Sequence, residues 1–438
     1  MAERPGVRQM PFVSIVFNIA FMFAVSVIWI MILYQLILTL FGYRYRRESA
    51  RNASETMTHP REWPGVSILV PARNESVVIG STLRKILALD YPAARMECIV
   101  INDGSTDNTR SIIEQYHKKD PRVVPLSLAP AASGRGKARA LNEGLKKAKY
   151  GLIAVYDADN NPESGSLKIL VRELLSGKNT GAVIGKFRTV NRHKNLLTRF
   201  INIETLGYQW ILQAGRYRAS GVSILSGTNF VVHREVLDAC GGWDESAITE
   251  DAELSVRIYQ KGWKIKFIPQ AVTWEQEPET WRVWIRQRTR WVRGNNYIIR
   301  KFFRPGLLFS SRILFLEFLY LFVLYYLLLT AIVTSHLLFL LCGAGILGVD
   351  VPGPYTAVWI SAFFMYILEV VLVLSYEDED RPLNILITAL MYFTYCQMWI
   401  YVVFRGFSMD LFRKQMGVWD KTERYPQGHE RPDPGEPS

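Results

Sequence analysis

The sequence predicts an α/β domain, doubly wound around a buried sheet and set between α-helices that span a membrane. Three observations carry that expectation. Between about residues 50 and 305, apolar runs of strand length alternate with helical patterns, as expected for a sheet covered by helices on both faces. Outside that region, residues 12–43, 318–347, 355–376 and 383–404 are each apolar for long enough to cross a bilayer. Polar clusters fall where the strands of the domain end, and that edge is where such sheets bind ligands.

The first apolar stretch carries no charge, and at about 1.5 Å per helical residue it exceeds the roughly 30 Å hydrocarbon core. It is too long for a signal-peptide core and no small-residue cleavage site follows it, so it reads as a retained anchor. Arg44, Arg46, Arg47 and Arg51 follow the stretch, against Arg4 and Arg8 before it. This bias puts the globular domain in the cytoplasm and the chain in the cell membrane. Three further spans would then put the C-terminal tail outside, against the basic Arg405, Arg413, Lys414, Lys421 and Arg424 within it. A late segment lying in the interface would remove that conflict.

The domain opens with a continuous apolar run, 66–70, as expected for a parallel strand buried on both faces. A helical pattern over 77–89 follows, then a second such strand over 98–101, which breaks into a polar turn, and a helix over 108–118. A strand over 123–128, a helix over 137–149 and a fourth strand in GLIAVYDAD complete the alternation. The expected organisation is an anchor in residues 1–49, a soluble domain over 50–280, interfacial helices over 281–312, a membrane bundle over 313–405 and an amphipathic, polar tail over 406–438.

Hydrophobic residues make up 49% of the chain, and the long apolar stretches account for that excess over a soluble protein. The formal net charge of +12 points to anionic partners. No zinc-finger spacing, RNA-recognition signature or basic low-complexity arm is present, so nucleic acid is not expected, and membrane lipids or a phosphorylated substrate fit better. Cys98, Cys240, Cys342 and Cys396 lie far apart, two of them in apolar stretches, which argues against a disulfide framework and suits a reducing compartment. The strand-end turns hold no GxGxxG or Walker A pattern.

The candidate site residues cluster at those strand ends. Arg73, Asn74 and Glu75 follow the first strand and Asp103 the second, in NDGSTD, which reads equally as a turn or as a carboxylate placed to accept from a nucleobase. Asp157 and Asp159 follow the fourth; they are either solvated loop acids or a pair able to hold a divalent cation together with substrate phosphates. Lys137 opens a helix, where free N–H groups and the dipole also attract phosphate. Glu250 and Asp251 start another helix, either as capping acids or with Asp251 as a general base. In IRQRTRWVRG, Gln287, Arg290 and Trp291 share one helical face suited to an anionic ligand, while Arg286, Arg288 and Arg293 point elsewhere and are expected to face lipid. Glu369, a lone acid inside an apolar stretch, marks either a translocation path or a buried pairing.

The ordered set PARNE, NDGSTD, GKARALN, DAD, SGTNF, TED and QRTRW, followed by membrane spans, resembles the processive, membrane-integrated enzymes of glycosyltransferase family 2, such as cellulose, chitin, hyaluronan and poly-N-acetylglucosamine synthases. The resemblance covers residues 64–300 by motif. It implies a GT-A domain that binds a UDP-sugar, with UDP-glucose or UDP-N-acetylglucosamine as the expected donor and a carbohydrate acceptor. By this likeness Asp103, Arg73 and Glu75 match the nucleotide end and Lys137 the diphosphate. Asp157 and Asp159 match the ligands of Mg²⁺ or Mn²⁺, Asp251 the base of the TED motif, beside Glu250, and Gln287, Arg290 and Trp291 the QxxRW signature. The implied activity is inverting transfer to a growing chain, coupled to export. Two alternatives stay open: transfer of one sugar to a lipid, and an inactive transporter or scaffold. Few late spans leave room for an export partner or a homo-oligomer.

Overall fold

The computed structural model describes residues 11–55, 60, 62–129, 136–303, 312–346, 348 and 351–412. Arg4 and Arg8, and the basic residues of the tail from Arg413 onward, lie outside them.

Helix α1 (Pro11–Glu55) comprises 45 residues, or about 67 Å at 1.5 Å per residue. It is long enough both to cross a bilayer and to reach the domain beyond. The domain follows in the order β1 (Val66–Ala72), α2 (Ile79–Leu87), β2 (Met96–Asn102), α3 (Thr109–Lys119), β3 (Val123–Ser127), α4 (Lys137–Lys147), β4 (Leu152–Val155) and β5 (Asn161–Pro162). Its second half holds α5 (Ser166–Ser176), β6 (Thr180–Thr189), α6 (Leu196–Gly207), a π-helical stretch (Tyr208–Gly215) running into α7 (Arg216–Ser220), β7 (Phe230–His233), α8 (Arg234–Cys240), α9 (Glu250–Gln260) and β8 (Lys264–Glu275). The strands form one sheet in the order β3-β2-β1-β4-β7-β6-β8-β5.

The first four strands are parallel, with β1 central between β2 and β4. Every residue of β1, β2 and β4 is buried, the physical reason their sequences are mostly apolar rather than alternating; the buried polar pair in β1 and β2 is matched, Ser67 donating to Glu97 Oε1 (2.5 Å). Beyond β4 the sheet is mixed: β7 runs antiparallel to both β4 and β6, and β6 pairs in parallel with β8. One hydrophobic cluster lies on each face of the sheet. The carboxyl ends of β1, β2 and β4 therefore open side by side onto one edge.

The membrane part begins with α10 (Trp281–Phe302), an amphipathic helix capped by Thr280, whose hydroxyl accepts from the Val283 N–H (3.5 Å). Then come α11 (Arg312–Phe322), a π-helical turn (Val323–Leu328), α12 (Leu329–Gly343), α13 (Tyr355–Ser375), α14 (Pro382–Phe393) and α15 (Tyr395–Leu411). Among the described residues, four helical stretches are long and apolar enough to cross a membrane: Ser14–Arg51, Leu314–Gly343, Tyr355–Ser375 and Pro382–Leu411.

Close backbone contact fixes α1 to the domain. A Cβ added at Gly42 would lie 2.2 Å from the Trp210 carbonyl oxygen, and one at Gly215 would lie 2.3 Å from that of Leu38, so only glycines allow the two helices to touch there. Tyr45 also donates to the Phe267 carbonyl (2.5 Å).

The stretch Pro382–Leu411 is broken at Thr394 (φ −124°, ψ −77°), and its two ends are tied to the domain and to α10 respectively. Just before α14, Glu379 accepts from Asn202 of α6 (3.0 Å) and pairs with Arg188 of β6 (3.1 Å). At the end of α15, Asp410 pairs with Arg293 of α10 (2.8 Å) and accepts from Asn296 (2.9 Å).

Candidate active site

The loops at the β1 and β2 ends are laced together. Asn74 adopts a left-handed backbone (φ 54°) and its side-chain oxygen accepts from the Thr106 N–H (2.7 Å), while its own N–H donates to Ser105 Oγ (2.9 Å). The Glu75 N–H donates to Thr109 Oγ1 (2.7 Å). Burial opposes the charge of Asp107, but hydrogen bonds from Thr109 and Ser76 outweigh it and hold the carboxyl down at about 2. Asp103 is buried at the end of β2, and its N–H donates to the Ala72 carbonyl (2.9 Å) just before Arg73. Arg73, Glu75 and Asp103 are thus neighbours along one loop pair.

Lys137, the first residue of α4, reaches across the edge. Its ammonium lies 2.6 Å from Asp157 Oδ1 and 3.7 Å from Glu250 Oε1, and donates to the Gly227 carbonyl (2.8 Å). Burial disfavours the charged ammonium, yet Asp157, Glu250 and Asp251 outweigh it and hold Lys137 above the ordinary lysine range. Asp251 goes the other way: burial, then the neighbouring Glu250 carboxylate, push it up to about 7 against the pull of Lys137.

The SGTN turn closes this cluster from above. Gly227 has φ 86°, and a Cβ there would meet Asp251 Oδ2 at 3.1 Å and Lys137 Nζ at 3.2 Å. Thr228 accepts from the Asp157 N–H (3.1 Å). Asn229, also left-handed, donates to the Lys186 and Ala271 carbonyls (3.0 and 2.9 Å), which pins the turn to β6 and β8. The sequence singled out SGTNF only as part of an ordered set; its function as the roof of the carboxylate cluster lies in long-range contacts.

One cavity of about 1580 Å³ is lined by Glu75, Lys137, Asp157, Asp159, Glu250, Asp251, Gln287, Arg290 and Trp291. Nine of the expected residues therefore meet around one space, whereas Arg73 and Asp103 lie off its lining. The same cavity continues between the membrane helices, past Trp29 and Ile32 of α1, Ile332 and His336 of α12, and Trp359, Tyr366 and Glu369 of α13. Glu369 is buried, and among the described residues its Oε1 has no hydrogen-bond partner.

The arginines of α10 divide differently from expectation. Arg290 and Gln287 face the cavity beside Trp291. Arg288, expected to face lipid, is fully buried and pairs with Glu204 of α6 (2.5 Å), and Arg293 is buried against Asp410. An unpaired guanidinium in an apolar bundle is costly, so both arginines turn inward to carboxylates supplied by distant elements.

For a divalent cation the chain supplies only part of a cage, since among the described residues no three His, Cys, Asp or Glu side chains converge on one point. Asp157 and Asp159 on the cavity wall fit Mg²⁺ or Mn²⁺, hard ions that complete their oxygen shell with water and substrate phosphates.

The mixed α/β sheet carries carboxylates at its strand ends, and comparison with known proteins gives its class. The sequence model described as "Glycosyltransferase like family 2" matches residues 64–294. The chain belongs to that family. It is 41% identical over 414 residues to the "Probable glycosyltransferase YdaM" of Bacillus subtilis (strain 168), covering 94% of this chain and 99% of that one. It is 33% identical over 242 residues to a poly-beta-1,6-N-acetyl-D-glucosamine synthase of Staphylococcus epidermidis, covering 55% of this chain and 57% of the relative. It is 33% identical over 232 residues to the beta-monoglucosyldiacylglycerol synthase of Synechocystis, covering 53% and 48%. The matches to these last two thus span about half of each relative. Among solved structures, the mannosyltransferase PcManGT of Pyrobaculum calidifontis, in complex with GDP-Man and Mn²⁺, superposes with a TM-score of 0.59 at 19% identity, covering 87% of this chain and all of that one. It shares the GT-A-like fold.

Proposed function

We propose that the chain transfers a sugar, with inversion, from a UDP-sugar to the end of a growing polysaccharide or oligosaccharide at the cell membrane, and passes the product into the helical bundle. The carrying observation is the single cavity that joins the carboxylate cluster and Trp291 to the space between the membrane helices. UDP-glucose and UDP-N-acetylglucosamine are the donors proposed, the second by likeness to the staphylococcal synthase.

In this reading Arg73, Glu75 and Asp103 receive the nucleotide and Lys137 the diphosphate. Asp157 and Asp159 would hold Mg²⁺ or Mn²⁺, which when bound neutralises diphosphate charge. Asp251 takes the proton of the acceptor hydroxyl, and that oxygen attacks the anomeric carbon from the face opposite the diphosphate. The bond from that carbon to the phosphate oxygen breaks, and UDP leaves with the electron pair. A carboxyl poised near 7 suits this base. Burial, and then the like charge of Glu250, keep it there. The guanidinium of Arg290 meets the charge that grows on the leaving group, Gln287 adds a hydrogen-bonding amide, and Trp291 offers an apolar face to the acceptor sugar.

The basic residues Arg44, Arg46, Arg47 and Arg51 at the domain end of the anchor support a cytoplasmic catalytic domain. Because Pro382–Leu411 is tied to the domain at its start and, at its end, to α10, the helix that follows β8 directly, we assign three crossings and one segment that enters and returns. The end of α15 then stays on the cytoplasmic side, in keeping with the basic residues that follow it in the sequence. An export partner or a second copy would complete a wider conduit.

A second reading, transfer of one sugar to a lipid, is favoured by the apolar wall around the deep cavity, where Val25, Ile28, Val333 and Val358 contribute. Vesicles of the purified protein given radiolabelled UDP-sugars and Mg²⁺ separate the two. A protease-resistant polymer of many sugars supports synthesis; a lipid-extractable product with one sugar contradicts it.

A further inference from the structure

The buried ion pair of α10 sits directly behind the acceptor face of the cavity. Arg288 stacks its guanidinium 3.9 Å from the ring centre of Trp291 and donates to Gln287 Oε1 (2.5 Å). Its other arm reaches Glu204 Oε2 at 2.5 Å, and its side chain has no exposed surface. Glu204 is fixed in turn from α15: Tyr395 donates to Oε2 (2.7 Å) and Trp399 to Oε1 (2.8 Å), while Trp284 donates to Tyr395 (2.8 Å).

We propose that Glu204 and Arg288 are positioning residues for acceptor recognition, holding Trp291 and Gln287 in the orientation that receives the acceptor sugar. This deepens the function proposed above and rests on it. Trp291 is 37% exposed, and a ring that open would sample several rotamers unless its inner face were braced. The planar guanidinium braces it by a cation–π contact that lysine would not reproduce. The Gln287 oxygen is already occupied by Arg288, so its NH₂ group is left to donate toward the cavity. Glu204 supplies the countercharge without which Arg288 would not stay buried. Because Glu204 is held by Tyr395 and Trp399, the returning membrane segment sets the acceptor platform.

Removing one partner alone leaves a buried unpaired charge and risks misfolding, so the informative protein is the full chain carrying Glu204→Gln together with Arg288→Met. Its thermal unfolding midpoint is measured beside three functional readouts: UDP-sugar hydrolysis without acceptor, calorimetric binding of short β-linked glucose and N-acetylglucosamine oligosaccharides, and product length. The expected result is a folded protein that hydrolyses donor within about twofold of wild type, binds oligosaccharide at least about tenfold more weakly, and makes shorter products. Arg288→Lys with Glu204 intact should show the same split, because it keeps the charge and loses the stacked plane. Unchanged oligosaccharide affinity in folded variants overturns the proposal, as does a parallel fall of donor hydrolysis and oligosaccharide binding. A wild type that hydrolyses donor but binds no oligosaccharide also overturns it; one that does neither sinks the parent function with it.

Discussion

At the sheet edge, Lys137 bridges Asp157 and Glu250 beside Asp251, whereas deeper among the helices Glu369 turns toward the same cavity a carboxyl oxygen that has no partner among the described residues. The contrast separates two kinds of site. A compensated cluster exchanges internal partners for substrate groups, because each charge keeps a neighbour as the diphosphate arrives. A solitary buried acid gains its hydrogen bond only from something that passes or stays, since leaving such a group unsatisfied costs about 1–3 kcal/mol. The proposed function gives chemistry to the first region and guidance of product to the second.

The sharpest way to break that division is Asp251→Asn, which keeps shape and removes the base. Transfer should fall by about 10²–10⁴-fold with little change in donor binding; a loss of under tenfold would move the base elsewhere. Next comes Arg290→Ala, expected to lower turnover by about 10²–10³-fold, as for other preorganised groups facing developing charge. A drop confined to the acceptor KM would reassign Arg290 to the sugar. A smaller effect follows from the elevated Asp251 carboxyl. The base acts deprotonated, so kcat/KM should climb with pH, level off above about 7, and lie about tenfold lower one unit below that point. A profile flat from pH 5.5 upward would contradict this. Least affected in transfer is Glu369→Ala, which should polymerise within about twofold of wild type yet leave its product on the cytoplasmic face; normal export would remove Glu369 from the path.

The same contrast marks what could be read from sequence. Strands β1, β2 and β4 stand out because burial on both faces makes them largely apolar without a polar-apolar alternation, and the acids that follow them mark the edge. Strand β7 carries no sign in FVVH that it runs antiparallel, because direction is fixed by neighbours and not by a strand's own residues. Helical spacing grouped Gln287, Arg290 and Trp291 on one face. It failed for Arg288, whose partner Glu204 lies 84 residues earlier and belongs to another element. Length and hydropathy likewise present Pro382–Leu411 as a span, while the break at Thr394 and the anchoring of Asp410 depend on contacts across the fold. Pairing of buried charge is non-local, and a sequence records its two halves far apart.

The measurement that bears most directly on the central claim is UDP release by the purified full chain with Mg²⁺, given UDP-glucose and UDP-N-acetylglucosamine in turn and repeated with Asp251→Asn. Release is expected with one of these donors, lost by about 10²-fold or more in the variant. Equal release by the variant, or no turnover of either donor by the wild type, would contradict it.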